Sequence, residues 1–212
     1  MSREVAIDLD DGIRLLATDG GPAAAETVVV FAHGSGSSRH SARNRQVAER
    51  LQRDGSRTLL LDLLTPDEEE VDLRSMQHRF DIPLLGHRVT GAVDWLMRRQ
   101  EVTLGLFGAS TGAAAALVAA ASRPDEVAAV VSRGGRPDLA SDALRLVHAP
   151  TLLIVGGEDL TVLDLNQQAQ AALVCPNRLE IIPGATHLFE EPGKLEVVAD
   201  LAADWFSRYL TP

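Results

Sequence analysis

The sequence predicts an α/β protein with a mostly parallel central sheet, helices on both faces and an antiparallel hairpin at its N-terminal end. Three observations carry this. Short runs such as Thr27–Ala32 and Thr151–Val155 are apolar at nearly every position and rich in β-branched residues, as strands covered on both faces are. Stretches of helical length separate these runs, and regular alternation of strand and helix implies βαβ crossovers. At the start, Val5–Leu9 and Ile13–Thr18 instead flank Asp10-Asp11-Gly12, and Asp-Gly tolerates the positive φ that a tight hairpin turn needs.

Each further unit repeats the pattern. The polar helical stretch Ser41–Arg53 precedes a strand at Arg57–Leu61, and Leu85–Arg99 precedes Val102–Phe107. Thr111–Ser122 leads to Val127–Ser132, Ser141–Val147 to Thr151–Val155, and Leu163–Leu173 to Arg178–Ile182, with Lys194–Tyr209 as the closing helix. The connection Leu63–Phe80 is long and polar; it either borders a site or is a surface excursion, and its acidic run Asp67–Glu70 reads as a solvated loop or a first helical turn beyond Pro66. Trp95 and Trp205 fall in helical patterns as core anchors. No repeat or low-complexity linker interrupts the 212 residues, so one domain is expected over residues 1–212.

Composition narrows the function classes. Hydrophobic residues at 45% and charged residues at 24% are those of a packed protein, not a disordered one. The lone Cys175 excludes an internal disulfide and any multi-cysteine zinc site. Thirty acidic against twenty basic residues, a net charge of −10, argue against nucleic acid as a partner. Met1-Ser-Arg-Glu-Val enters an alternating acidic stretch rather than a signal core. The longest apolar run, Gly112–Ala121, is about half the ~20 residues a bilayer requires. A cytoplasmic protein without membrane contact is the expectation.

Chemistry concentrates at Gly108-Ala-Ser-Thr-Gly112. As a bare Gly-x-Ser-x-Gly pattern it is weak, but a strand runs directly into it and an alanine-rich helix leaves it, the setting of a nucleophile elbow. The bland alternative is a glycine-rich turn whose serine merely caps the helix. A serine needs a base, and the base an orienting carboxylate. His187, in the loop after the last strand, stands on the ligand side of the sheet; His148 falls at the opposite end. Asp159 follows the strand Thr151–Val155 at its carboxyl edge, ahead of Glu158 as the candidate acid. The order Ser110, Asp159, His187 is the one expected for an elbow of this kind. For an oxyanion hole, one donor is the N–H of Thr111, after the candidate nucleophile. The other comes from His33-Gly-Ser-Gly-Ser37, with Ser35 favoured and Gly36 second. A phosphate loop is the rival reading of that stretch, and no Gly-Lys-Ser/Thr follows it.

His33-Gly-Ser-Gly-Ser37, Gly108-Ala-Ser-Thr-Gly112, Gly156-Gly-Glu-Asp159 and Gly184-Ala-Thr-His187 together resemble the α/β-hydrolase fold and, more narrowly, the dienelactone hydrolase-like family. Ser132-Arg-Gly-Gly-Arg-Pro137 also resembles hydrolase domains sometimes fused to phosphoribosyltransferases. The resemblance covers about Thr27 to Leu210. It implies no metal and no organic cofactor. True dienelactone hydrolases carry a cysteine where Ser110 stands, so the resemblance points here to serine esterase chemistry.

The expected function is hydrolysis of small or exposed carboxylic esters through an acyl-enzyme on Ser110. The segment Ser132–Ala140 is too short for a helical cap, so the site should be open and lidless. Arg133 and Arg136, past the end of their strand, and Arg39, past the oxyanion loop, could pair with a substrate carboxylate or else sit in surface ion pairs. A thioesterase or perhydrolase would use the same triad, and a non-catalytic binding protein on a hydrolase scaffold is the alternative from another class. Monomer and homodimer are both open.

Overall fold

A computed structural model describes residues 2–211. Its strands are β1 (Arg3–Asp8), β2 (Arg14–Gly20), β3 (Thr27–Ala32), β4 (Arg57–Leu61), β5 (Thr103–Ala109), β6 (Val127–Arg133), β7 (Thr151–Gly156) and β8 (Asn177–Ile182). They form one eight-stranded sheet in the order β1-β2-β4-β3-β5-β6-β7-β8. β1 pairs with β2, and β2 with β4, antiparallel; every later pairing is parallel. Gly12 turns the expected hairpin at φ 81.

The helices are α1 (Ala42–Arg53), α2 (Pro66–Ser75), α3 (Ile82–Met97), α4 (Thr111–Ser122), α5 (Leu160–Ala172) and α6 (Lys194–Tyr209). Strand alternation divides the core between two faces. Val28, Val30 and Ala32 of β3 join the side covered by α3 and α4, while Val29 and Phe31 face α1 and α6. On the α6 side, Phe31 and Phe107 stack with centroids 4.7 Å apart. Gly105 lets α6 close on the sheet, since a Cβ there would lie 2.6 Å from Phe206 Cε1. Trp95 and Trp205 are both buried, as anchors should be.

Of the two readings of the acidic run Asp67–Glu70, the helical turn is the one observed: Pro66–Ser75 is a regular helix with Asp67, Glu68 and Glu69 in its first turn. The Thr65 hydroxyl accepts from Glu68 N–H at 3.2 Å and the Glu68 carboxylate accepts from Thr65 N–H at 2.8 Å, a complete capping box with Pro66 in the first turn. The expected helix over 141–147 is instead two 3-10 pieces within Pro137–Leu146, broken at Ser141 (φ 50, ψ −127). No helix among the described residues is long and apolar enough to cross a membrane.

Candidate active site

The carboxyl ends of β3, β5, β6 and β7, with the loop after β8, meet at one edge of the sheet. At the end of β5 the chain reverses within a few residues into α4, and Ser110 takes the backbone strain of that turn at φ 51, ψ −122. The flanking glycines answer to packing. A Cβ on Gly108 would overlap the backbone of Ala113, and one on Gly112 would overlap the carbonyl oxygens of Ala32 and His33. Ser110 N–H donates to the Arg133 carbonyl at 3.2 Å, and the Ser110 carbonyl accepts from Arg136 N–H at 3.1 Å, so the loop after β6 holds the elbow from the other side. Ser110 makes no side-chain capping bond to α4, against the bland reading of it as a helix cap.

Asp159 precedes α5 but leaves the helix uncapped by its side chain. Its Oδ2 lies 2.6 Å from His187 Nδ1. The acid and base loops are sewn together beneath that pair: Glu158 N–H donates to the Ala185 carbonyl at 3.0 Å and Gly157 N–H to the Ile182 carbonyl at 2.9 Å. Glu158 itself is exposed and contributes backbone only. The Thr186 hydroxyl and N–H both donate to Glu191 Oε1, at 2.6 and 3.1 Å. The hydroxyl bond, with backbone help, holds the Glu191 carboxyl below the usual carboxylate range. Gly134, at φ 50, comes so near the base loop that a Cβ there would lie 3.0 Å from the His187 carbonyl oxygen. The Thr186–Glu191 clamp and the Gly134 approach are tertiary features with no local signal in the sequence.

The loop after β3 closes the other side. Ser37 N–H donates to the Gly34 carbonyl at 3.2 Å, making a turn with Ser35 second and Gly36 third, and Gly36 has the positive φ of 67 that a third position can require. Gly34 abuts the elbow: a Cβ on it would stand 3.0 Å from Ser110 Cβ. Thr111 opens α4, so its N–H is one of the free donors at the helix's positive end. His33 is buried, and burial pushes its imidazole below the ordinary histidine value.

Two cavities flank this loop. One, about 610 Å³ counting its open mouth, is lined by Ser35, Arg43, Ser110, Arg133, His187 and Leu188 among others. The second, about 430 Å³ on the same measure, runs past Ser35 and Thr111 to Leu63, Leu64, Leu73 and Leu85. The long connection after β4 therefore borders the site. Its wall is held by Asp72, which accepts from Arg79 Nε at 2.7 Å and from the N–H groups of His78 and Arg79 at 2.8 and 3.0 Å.

The three arginines singled out in the sequence part company. Arg39 does not line the cavity around Ser110; its N–H and Nε bind Asp62 at 2.7 and 2.9 Å and its Nη2 binds Glu4 at 2.6 Å, tying the loop to the sheet edge. Arg136 also lies outside that cavity, with Nε and Nη2 on the two carboxylate oxygens of Asp138 at 2.9 and 2.8 Å. Arg133 lines it. Arg43 of α1, which lines it too, had no sequence signal beyond that of an ordinary helix-surface cation. Among the described residues no cluster of three or more histidine, cysteine or acidic side chains could hold a metal ion.

The family model for the dienelactone hydrolase family matches residues 15–211. The chain belongs to that family. The α/β-hydrolase fold read from the motif residues is the fold observed, and its structural relatives agree. Dienelactone hydrolase from Anabaena variabilis ATCC 29413 is 56% identical with a TM-score of 0.96, covering 100% of this chain and 99% of its own. Est1E from Butyrivibrio proteoclasticus shares the fold at a TM-score of 0.79 and 18% identity, over 97% of this chain and 98% of its own. In sequence, the family member described here is 60% identical over 186 residues to a Mycobacterium tuberculosis H37Rv protein named "Putative phosphoribosyl transferase Rv0571c". That match takes in 86% of this chain but 41% of the relative, so the chain spans less than half the length of the curated protein it matches.

Proposed function

We propose that this hydrolase-family protein is a serine hydrolase that cleaves small or exposed carboxylic esters through an acyl-enzyme on Ser110. The observation that carries the reading is the 2.6 Å contact of His187 Nδ1 with Asp159 Oδ2, made at the rim of the cavity that also holds Ser110 on its strained turn. A carboxylate on Nδ1 keeps the ring proton there and leaves Nε2 free to accept the serine proton. In this reading His187 takes that proton as Ser110 Oγ attacks the ester carbonyl. The Thr111 and Ser35 N–H groups receive the negative charge on oxygen, and each such donor contributes about 3 kcal/mol to lowering the barrier. The alcohol leaves with the proton from His187. Water, activated by the same ring, then attacks the acyl-enzyme and frees the acid and Ser110.

The cavity mouth has no helical cap above it: the connection between β6 and β7 holds only the 3-10 pieces of Pro137–Leu146, which supports small or exposed acyl groups. Thioester and perhydrolysis chemistry would pass through the same acyl-enzyme. The transferase name belongs to the longer M. tuberculosis relative. The family match covers nearly all of this chain, so the hydrolase reading is the one adopted for it.

The test is labelling with a fluorophosphonate, the modified residue being mapped by mass spectrometry. One adduct, on Ser110 and absent from Ser110→Ala, is the expected result. A folded protein that stays unlabelled would overturn the activated serine and favour the binding-scaffold alternative.

A further inference from the structure

The sheet ends on a strand that is only half covered. Parallel strands are normally buried on both faces, and every residue of β7 is, whereas in β8 Ile182 alone is buried. The outer edge of β8 is open as well. At the two ends of the strand the carbonyls of Pro176 and Ile182 accept from Thr151 N–H and Gly157 N–H, both at 2.9 Å, and the register against β7 is unbroken from Asn177 to Ile182. Backbone direction alternates along a strand. Arg178, Glu180 and Ile182 therefore turn their N–H and C=O groups toward β7, and Asn177, Leu179 and Ile181 turn theirs outward. No backbone hydrogen bond of the described residues outside the β7 ladder reaches Leu179 or Ile181.

Such an edge is a template for another strand, and charged side chains commonly guard it. Here the charges favour one particular partner. Arg178 and Glu180 share a face, ion-paired with each other, and stand symmetrically about Leu179. When a second β8 runs antiparallel about a two-fold axis at Leu179, that leucine meets its own copy, Asn177 meets Ile181, and Arg178 meets Glu180 twice. The outward-facing residues then form the hydrogen-bonded pairs. Arg178 and Glu180 fall at the non-hydrogen-bonded positions, where opposed side chains stand closest. The neighbouring registers pair Arg178 with itself or Glu180 with itself, and both are repelled. On the other face, half-buried Leu179 and Ile181, 43% exposed, gain cover.

We propose that β8 is a homodimer interface, through which two copies of this chain join their eight-stranded sheets edge to edge into one continuous sheet. The ladder supplies up to about six interchain hydrogen bonds. The contact is isologous and closed, so it stops at two copies. It is also locally neutral, with one arginine and one glutamate per strand, in a chain of net charge −10 whose copies otherwise repel. None of the residues lining the Ser110 cavity belongs to β8, so the dimer stands independently of the acyl-enzyme reading.

Sedimentation and light scattering of the full chain at micromolar concentration test the interface, and the expected mass is twice 22.7 kDa. Arg178→Glu and Glu180→Arg, each alone, set like charges in both cross-strand pairs and should weaken the dimer at least about 10-fold. Mixed together, these two variants present one acidic and one basic edge and should form a heterodimer. Loss of the ion pair within a single strand does not predict that rescue. Ile181→Pro removes an outward N–H, spares the β7 ladder and should also give monomers, with circular dichroism confirming the fold. In the wild-type protein, amide exchange at Leu179 and Ile181 should slow as concentration rises, a readout that needs no variant. A monomeric wild type, or exchange there that ignores concentration, overturns the interface. A dimer that withstands Arg178→Glu and Ile181→Pro lies on another surface and overturns it equally. Monomeric single variants that do not combine on mixing overturn the two-fold register.

Discussion

The backbone N–H of Leu63 donates to Nε2 of His33 at 3.1 Å, which fixes the ring proton on Nδ1, facing the Gly34 carbonyl at 2.9 Å. A buried imidazole thus bridges the end of β4 to the loop that carries Ser35. Its tautomer is set by a backbone N–H, which can be accepted only by an unprotonated ring nitrogen. His33→Ala leaves the Leu63 N–H without its acceptor, at a cost of about 1–3 kcal/mol in stability. It also frees the loop from one of its ties. In the proposed mechanism kcat for a 4-nitrophenyl ester should drop by about 10-fold, part of the 10²–10³ that complete loss of an oxyanion donor causes. Denaturant unfolding and steady-state kinetics on the same variant check both; an unchanged stability would count against the bridge.

The same ring makes stability depend on pH. Burial lowers the His33 value, outweighing the Gly34 carbonyl and the nearby Asp62 and Glu69 carboxylates, all of which favour the charged ring. The unfolded chain protonates this histidine at about pH 6.5, whereas the folded protein still refuses the proton there. Folding stability contributed by the neutral ring is therefore present above pH 6.5 and falls as pH drops toward the lowered folded value, by at most about 1.4 kcal/mol per pH unit. His33→Gln should flatten that limb relative to wild type in urea unfolding measured between pH 7 and 5 (a window set by the ordinary histidine value). Parallel curves for the two proteins would show that the ring is not held neutral.

Strands such as β3 and β7 could be read from sequence because burial on both faces makes them continuously apolar, and the elbow because Gly108, Ser110 and Gly112 sit between a strand and a helix. α2 could be read only as far as a first turn beyond Pro66, with a solvated loop as the rival: of its ten residues only Asp72 is buried, so it has no apolar stripe, and its start is written in Thr65, Pro66 and Glu68 instead. The break at Ser141 escaped for a different reason, since a positive φ at serine has no composition signal. The arginines mark the limit within the site. Arg136 meets Asp138 two residues away, a pairing visible along the chain, whereas Arg39 meets Asp62 and Glu4 across 23 and 35 residues. The place of Arg133 in the cavity depends on what β6, α1 and the base loop put around it, which only the folded chain defines.

Gly112→Ala sets two effects against each other. Alanine improves helix propensity by about 1 kcal/mol. The new methyl, however, overlaps two backbone carbonyls, those of Ala32 and His33, which cannot swing aside as a side chain could. Overpacking typically costs about 1–3 kcal/mol, so the expected net result is a loss of stability. The displaced carbonyls lead straight into Gly34 and Ser35, and kcat should fall with the stability. A Gly112→Ala protein as stable as wild type in thermal or urea unfolding would contradict the close approach of α4 to β3.

Asp159→Asn separates chemistry from folding. The carboxylate makes no capping bond to α5, and its side chain is 16% exposed, so its loss should leave the melting temperature within a few degrees of wild type. Asparagine can turn its NH₂ toward His187 Nδ1 and donate there. That moves the ring proton to Nε2, the nitrogen that must accept from Ser110 in the proposed mechanism. The geometry survives with the wrong tautomer, for which a fall of about 10⁴ in kcat is expected. Labelling of Ser110 by a fluorophosphonate should slow in step, because attack on phosphorus needs the same proton transfer. A variant that keeps kcat within about 10-fold of wild type would mean that the 2.6 Å contact is structural and that the base is oriented by something else.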